Sequence, residues 1–214
     1  MWDSLSIVWK ACLEEAWASF VAGSVPIGAL ITDPEGTIIA RGRNRVVGTG
    51  DSSLRGYRAP LAHAELNALL VLDFSTTDPK SCTLSTTLEP CPLCIGAIAV
   101  AGLRHVVFAA EDPYSGSVAL LRQSQCLRRK HVIASRPSDR HLETLSLLLV
   151  AQFYLQKANG EDTGFLASLR RDKPNVLRMA DSIFEAGLLS RMGRAGEPIQ
   201  AVIELLASQY LAFG

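Results

Sequence analysis

Two short motifs in this chain gather residues that bind metals and move protons. The first is His63-Ala64-Glu65 and the second is Pro90-Cys91-Pro92-Leu93-Cys94. One imidazole and two thiols make three zinc ligands. A structural zinc site closes its shell with four protein ligands, whereas a catalytic site leaves the fourth position to water. Cys82 and Cys126 stand alone, and His105, His131 and His141 lie in or near other elements, so no fourth ligand sits at useful spacing. The pattern predicts an open, catalytic site. Glu65 falls two positions after His63, about 200° around a helix, and does not share its face. That spacing suits a proton shuttle beside the metal rather than another ligand. Zinc lowers the pKa of a water it holds towards about 7, which supplies a nucleophile near neutral pH.

Both motifs fall where helices are expected to begin. One helix is predicted from Ala62 to Leu72, with Leu66, Leu69 and Leu70 facing inward, and another from Pro92 to Ala101, built of small residues. Free N–H groups and the positive end of a helix dipole lower a nearby thiol's pKa, which readies Cys91 and Cys94 as thiolates. Strands are expected at Ile27–Thr32, Thr37–Ala40, Thr83–Thr86 and His105–Ala109, the first two joined by a turn at Asp33-Pro34-Glu35-Gly36. Residues 45–60 read as a loop. A helix over Asp3–Phe20, capped by Asp3 or Ser4, carries the stripe Leu5, Val8, Cys12, Ala16 and Phe20. A further helix and strand are expected between Ser115 and Ala134, and a strongly apolar helix over His141–Lys157.

Alternating strands and helices with short links predict an α/β fold, a three-layer α/β/α domain over residues 1–159. Gly160-Glu161-Asp162-Thr163-Gly164 reads as a linker into a helical C-terminal extension, residues 160–214. Pro174 is expected to start one helix, with Val176, Ala180, Ile183 and Gly187 on a stripe. Pro198 is expected to start another, with Ile199, Val202, Leu206, Tyr210 and Phe213. The main domain or a second subunit must cover those stripes. Three roles are open to the extension: a lid, a dimer interface or an enlarged core.

The 214 residues carry 21 basic and 21 acidic side chains, which argues against a chain built as a whole for phosphate backbones. A local basic patch remains compatible with that balance. The longest apolar run, Leu145 to Leu155, is about half of what a bilayer requires, so no membrane association is expected. Asp3, Glu14 and Glu15 at the N-terminus speak against a signal peptide. Five cysteines without a secretory signal suggest reduced thiols and a cytoplasmic location. Cys12, Cys82 and Cys126 read as buried small hydrophobes.

The two metal motifs, together with Val25-Pro26-Ile27-Gly28-Ala29, Gly42-Arg43-Asn44-Arg45, Thr87-Leu88-Glu89 and Val106-Val107-Phe108-Ala109-Ala110 in that order, resemble the cytidine/deoxycytidylate deaminase superfamily. The likeness covers about residues 5–157. It is strongest to the branch holding tRNA adenosine deaminases and guanine or cytosine deaminases. The resemblance implies a central mixed five-stranded sheet and one Zn2+ per subunit, held by His63, Cys91 and Cys94. It implies Glu65 as general acid/base, relaying the water's proton to a ring nitrogen and then to the leaving amine. It implies that Asn44 hydrogen-bonds substrate, that the Ala64 N–H faces a ring carbonyl or nitrogen, and that a carbonyl near Glu89 or Pro90 faces the amine. It further implies that Asp112 lines the substrate mouth and that the chain forms a homodimer through helices near the site.

Plainer readings stand beside these. Asn44 also suits a strand-end turn, Asp112-Pro113 an ordinary turn, and Tyr114 a surface aromatic as well as a base-stacking one. Arg41, Arg43, Arg45, Arg55 and Arg58 form either a solvated face or a phosphate grip, and the cluster from Arg122 to Arg140 carries the same ambiguity. The residues from Gly160 onward hold six basic and seven acidic side chains, unlike an RNA-binding arm. Tyr114 stands where the tRNA enzymes usually have Lys, and Pro92 is reminiscent of free-base deaminases. These departures favour a zinc-dependent hydrolytic deaminase of a small aminated heterocycle, a nucleobase or nucleoside. The alternatives are a tRNA wobble-adenosine deaminase, which would bind nucleic acid, and an inactive deaminase-fold binding protein.

Overall fold

Alternation along the strands assigns side chains to two layers. Within Gly28–Thr32 (β1), Ala29 and Ile31 pack with Ala64, Ala68, Leu69 and Ile98, while Leu30 faces the other way onto Ala11 and Cys12. A computed structural model describes residues 1–47, 59–157 and 164–213, with side chains to residue 208. The sheet adds Ile38–Arg43 (β2), Thr83–Leu88 (β3), His105–Ala110 (β4) and Ile133–Ser135 (β5), in the order β2-β1-β3-β4-β5. β1 runs antiparallel to β2 and to β3, whereas β3, β4 and β5 are parallel. The fold is therefore the three-layer α/β/α arrangement with a mixed five-stranded sheet. Ala64–Val71 (α2) and Pro92–Ala101 (α3) cover one face, and Ile7–Val21 (α1) and Arg140–Lys157 (α6) the other.

The helices that start the two metal motifs are seated by close contacts. A Cβ at Gly42 on β2 would overlap the Ala64 carbonyl and the Ala68 amide, so glycine lets α2 lie directly on the sheet. Asn67 Nδ2 donates to the Arg43 carbonyl at 2.7 Å and the Arg45 N–H donates to the Ala62 carbonyl at 2.8 Å, tying the start of α2 to the end of β2. Pro92 occupies the first turn of α3, where its missing N–H costs nothing, and Gly102 ends the helix in the left-handed region at φ 90°.

Several local expectations change. α1 starts later than expected because Ser6, not Asp3 or Ser4, caps it, its hydroxyl accepting from the Trp9 N–H at 3.4 Å. Leu70 is 81% exposed rather than inward, and Ala64, Ala68 and Leu69 fill the buried face of α2. β2 continues to Arg43, so Arg41 and Arg43 are strand residues. Between Ser115 and Ala134 stand two one-turn helices, Leu120–Gln123 (α4) and Gln125–Arg128 (α5), before β5. Cys126, on α5, is exposed rather than buried. Arg55, Arg58 and residues 160–163 lie outside the described residues.

Residues 164–213 form four helices where two were expected: Gly164–Asp172 (α7), Pro174–Glu185 (α8), Leu188–Ala195 (α9) and Ile199–Phe213 (α10). Gly187 is not on a stripe but caps α9 in the left-handed region at φ 62°. Leu169, Leu177, Ile183, Leu189 and Val202 join one core with Leu13, Trp17, Leu145 and Leu148. Apart from Tyr210 and Phe213, whose side chains lie outside the described ones, the two stripes are thus covered within the chain. Gln152 on α6 donates to the Ala180 carbonyl at 2.5 Å, and Trp17 on α1 to the Glu197 carbonyl at 2.8 Å. No described helix is long and apolar enough to cross a membrane.

Candidate active site

Two helix N-termini and the end of one strand meet at the C-terminal edge of β3. His63 is the N-cap of α2 and Cys91 the N-cap of α3, and neither side chain caps its helix. Both are thereby released to point at each other and at Cys94, in the first turn of α3. His63 Nδ1 lies 3.6 Å from Cys91 Sγ and 3.5 Å from Cys94 Sγ, and the two sulfurs are 3.6 Å apart. Tetrahedral zinc, with bonds of about 2.3 Å to sulfur and about 2.0–2.1 Å to nitrogen, requires roughly 3.8 Å between sulfurs and roughly 3.5 Å from sulfur to nitrogen. The measured triangle matches both, and all three donor atoms lie within 4.8 Å of one another. The triad fits one Zn2+ ion. Hydrogen bonding from Cys94, reinforced by His63, holds the Cys91 thiol down at about 4. Its hydrogen bond to Cys91, then burial, pushes Cys94 up. The bond to Cys91 likewise raises His63.

Glu65 is only 4% exposed, the second residue of α2 and beside the triad. Its Oε2 accepts from Cys94 Sγ at 3.3 Å and its Oε1 from the Thr86 hydroxyl at 3.4 Å. Burial is the largest influence on the carboxyl and raises it above the usual range. A raised, buried carboxyl is what general acid/base work near neutral pH requires.

His63, Glu65 and Cys91 open onto a cavity of about 190 Å³ that also takes in Asn44, Glu89 and Asp112. Asn44 is buried at the end of β2. Its Oδ1 accepts from the Val46 N–H at 3.0 Å and from the Ser24 hydroxyl at 2.8 Å. The backbone donor fixes which amide atom is oxygen, and the NH2 group is left for the cavity. The Asp112 carboxylate is engaged by its own loop, accepting from the N–H groups of Tyr114 and Ser115 and from the Ser115 hydroxyl. Glu89 is bound similarly, by the N–H groups of Val118 at 3.0 Å and Asp112 at 3.4 Å, so its side chain holds the loop that forms the mouth. The Pro90 carbonyl already accepts from the Ser117 N–H at 3.1 Å. Ala64 is buried at the first position of α2 and its side chain does not line the cavity.

Two of the arginines near Asn44 turn elsewhere. Arg41 pairs with Glu14 at 3.5 Å and Arg43 donates to the Ala18 carbonyl at 2.9 Å, both on α1. A wider groove of about 850 Å³, lined by Trp2, Trp17 and Pro198 among others, holds none of the metal triad. Residue-level reasoning missed Ser24, Thr86, Tyr154 and Phe165. Nothing local ties Phe165, about a hundred residues after His63, to the site.

Residues 3–110 match the family model described as the cytidine and deoxycytidylate deaminase zinc-binding region. The tRNA-specific adenosine deaminase of Aquifex aeolicus is 36% identical over 111 residues, covering 51% of this chain and 68% of that protein. The cytosine deaminase of Candida albicans is 31% identical over 112 residues, covering 52% and 70%. The tRNA(Ile)-lysidine synthase of Deinococcus radiodurans is 38% identical over 96 residues, 44% of this chain but only 15% of that much longer protein. With half its length under the family model and a donor triangle of zinc dimensions, the chain belongs to the cytidine and deoxycytidylate deaminase family.

Proposed function

We propose that this chain hydrolyses the exocyclic C–N bond of a small aminated heterocycle, a nucleobase or nucleoside, so that amine and water become carbonyl and ammonia. The observation that carries this reading is the buried Glu65 carboxyl, set between the metal triad and the cavity that presents the Asn44 amide. His63, Cys91 and Cys94 hold the zinc, which supplies a polarised water when bound. Glu65 relays two protons from the attacking water in turn, the first to the ring nitrogen and the second to the departing amine. The Asn44 amide and the Ala64 N–H donate to the ring, a carbonyl of Glu89 or Pro90 accepts from the amine, and Asp112 shapes the mouth. Relatives acting on cytosine support a small substrate, and relatives acting on tRNA name the competing one. Glu89 and Asp112 bring two carboxyl groups to the cavity beside Glu65, which favours a neutral ligand over a phosphate chain.

The reading extends to a cytoplasmic enzyme that pairs with a second copy of itself. Leu70 and Val71 on α2, Val100 on α3 and the nearby Phe74 expose a band of apolar side chains on the helices that carry the metal ligands.

The test is ammonia release by zinc-loaded protein from guanine, adenine, cytosine, their nucleosides and monophosphates, and an anticodon stem-loop carrying a wobble adenosine. Turnover of one base or nucleoside with the stem-loop inert is expected. Turnover of the stem-loop alone would replace this reading with the tRNA one, and tight binding without ammonia would mark a binding protein.

A further inference from the structure

The helical extension reaches the cavity. Phe165 on α7, 2% exposed, and Tyr154 on α6 both line it. Their rings stack, with centroids 5.0 Å apart and planes 21° from parallel. Phe153 holds Tyr154 edge-on at 5.3 Å and 80°, so the tyrosine ring is fixed on two sides. Tyr114 lines the cavity as well and is largely exposed, which puts it at the mouth. A Cβ at Gly164 would overlap the Tyr114 ring, so the first residue of α7 lies flush against it. None of these aromatic contacts serves the metal triad, and the family match ends at residue 110, before α6 and α7 begin.

We infer that Tyr154 and Phe165 form a substrate wall, contributed by α6 and the extension, that selects a free planar base over its nucleoside and nucleotide. The inference rests on the deaminase reading of the same cavity. The cavity of about 190 Å³ is well below the ~300 Å³ at which sites for drug-sized ligands begin. A ribose attached to a base in that space would have to lie at the mouth, against Tyr114 and the start of α7. A flat π-system gains by stacking on a fixed aromatic surface, whatever its hydrogen-bonding edge. A phosphate at the mouth would meet the carboxyl groups of Glu89 and Asp112.

The experiment compares kcat/KM for each base of the panel with its riboside and monophosphate, in wild type, Phe165→Ala and Phe165→Leu. Calorimetric binding of the same ligands runs in parallel. Zinc content and the far-ultraviolet spectrum report folding, and Phe165→Leu keeps an apolar filler without the ring. Wild type is expected to prefer one free base over its riboside by at least about tenfold, because the sugar and not the ring meets the limit of the cavity. Phe165→Ala is expected to raise KM for the base and shrink that preference by a similar factor with zinc retained, and Phe165→Leu to fall between. Equal use of base and riboside by wild type overturns the inference, as does a base preference untouched in both variants. Failure of the deaminase reading looks different: no ammonia appears, yet binding still favours the base and weakens in Phe165→Ala. Absence of binding by every base overturns the wall itself.

Discussion

At the residue scale, Glu65 and the triad divide two tasks that a single mutation separates. Glu65 touches Cys94 but is not one of the three donors, so Glu65→Gln should retain zinc and lose turnover. General acid/base catalysis contributes about 10²–10⁴-fold, and that is the expected fall, read by ammonia release with metal analysis on the same sample. Full turnover in Glu65→Gln would sink the mechanism. The thiols give an independent test. Cys126 is exposed, whereas Cys12 and Cys82 are buried and both pushed up by desolvation, which suppresses their thiolates. Zinc-loaded protein should therefore show one fast thiol in an Ellman titration. Chelation should add Cys91, which is half-buried and held down at about 4. An unchanged count after complete zinc removal would mean that Cys91 is not a ligand.

At the element scale, two helices begin on metal ligands instead of caps. A residue that does not cap a helix forgoes about 0.5–2 kcal/mol, so α2 and α3 each concede some local stability to place His63 and Cys91. Contact with the sheet compensates, and Gly42 controls it. Gly42→Ala would drive a methyl into the backbone of α2 and shift His63 and Glu65 together. The expected result is a loss of about 1–3 kcal/mol in a denaturant melt, with weakened zinc retention. Gly96, in the middle of α3, meets nothing within 4 Å of an added Cβ. Gly96→Ala should gain about 0.5–1 kcal/mol with zinc unaffected. Equal outcomes at the two positions would show that backbone contact at Gly42 does not seat the site.

At the scale of the whole molecule, the extension and the catalytic layers share one core, so α7–α10 and the site stand or fall together. The opposite side of the sheet is different. There α2 and α3 leave Leu70 and Val100 about four-fifths exposed, and burying such residues in a second copy is worth roughly 1.5–3 kcal/mol each. Light scattering is expected to report a dimer for the wild type and a monomer for Leu70→Asp/Val100→Asp. A monomeric wild type would remove the pairing proposal without touching the chemistry.

The sequence by itself determined the parts that are local. Three zinc donors and a carboxyl packed into two motifs announce their chemistry, because ligand type and spacing constrain a tetrahedral ion. Helix and strand periods outlined the layers, because burial on one face imposes 3.6 or 2 on the pattern. Only the tertiary structure decided what faces what. Periodicity marked an apolar stripe at Leu66, Leu69 and Leu70 but could not tell that Gly42 and the sheet would select Ala64, Ala68 and Leu69 instead. A run of arginines beside Asn44 read as a solvated face with a phosphate grip as the alternative, and strand β2 turns two of them, Arg41 and Arg43, onto α1. Gly164 read as linker, yet it opens α7 and brings Phe165 onto Tyr154. Contacts between residues a hundred positions apart depend on how the chain returns, and no window along the sequence contains them.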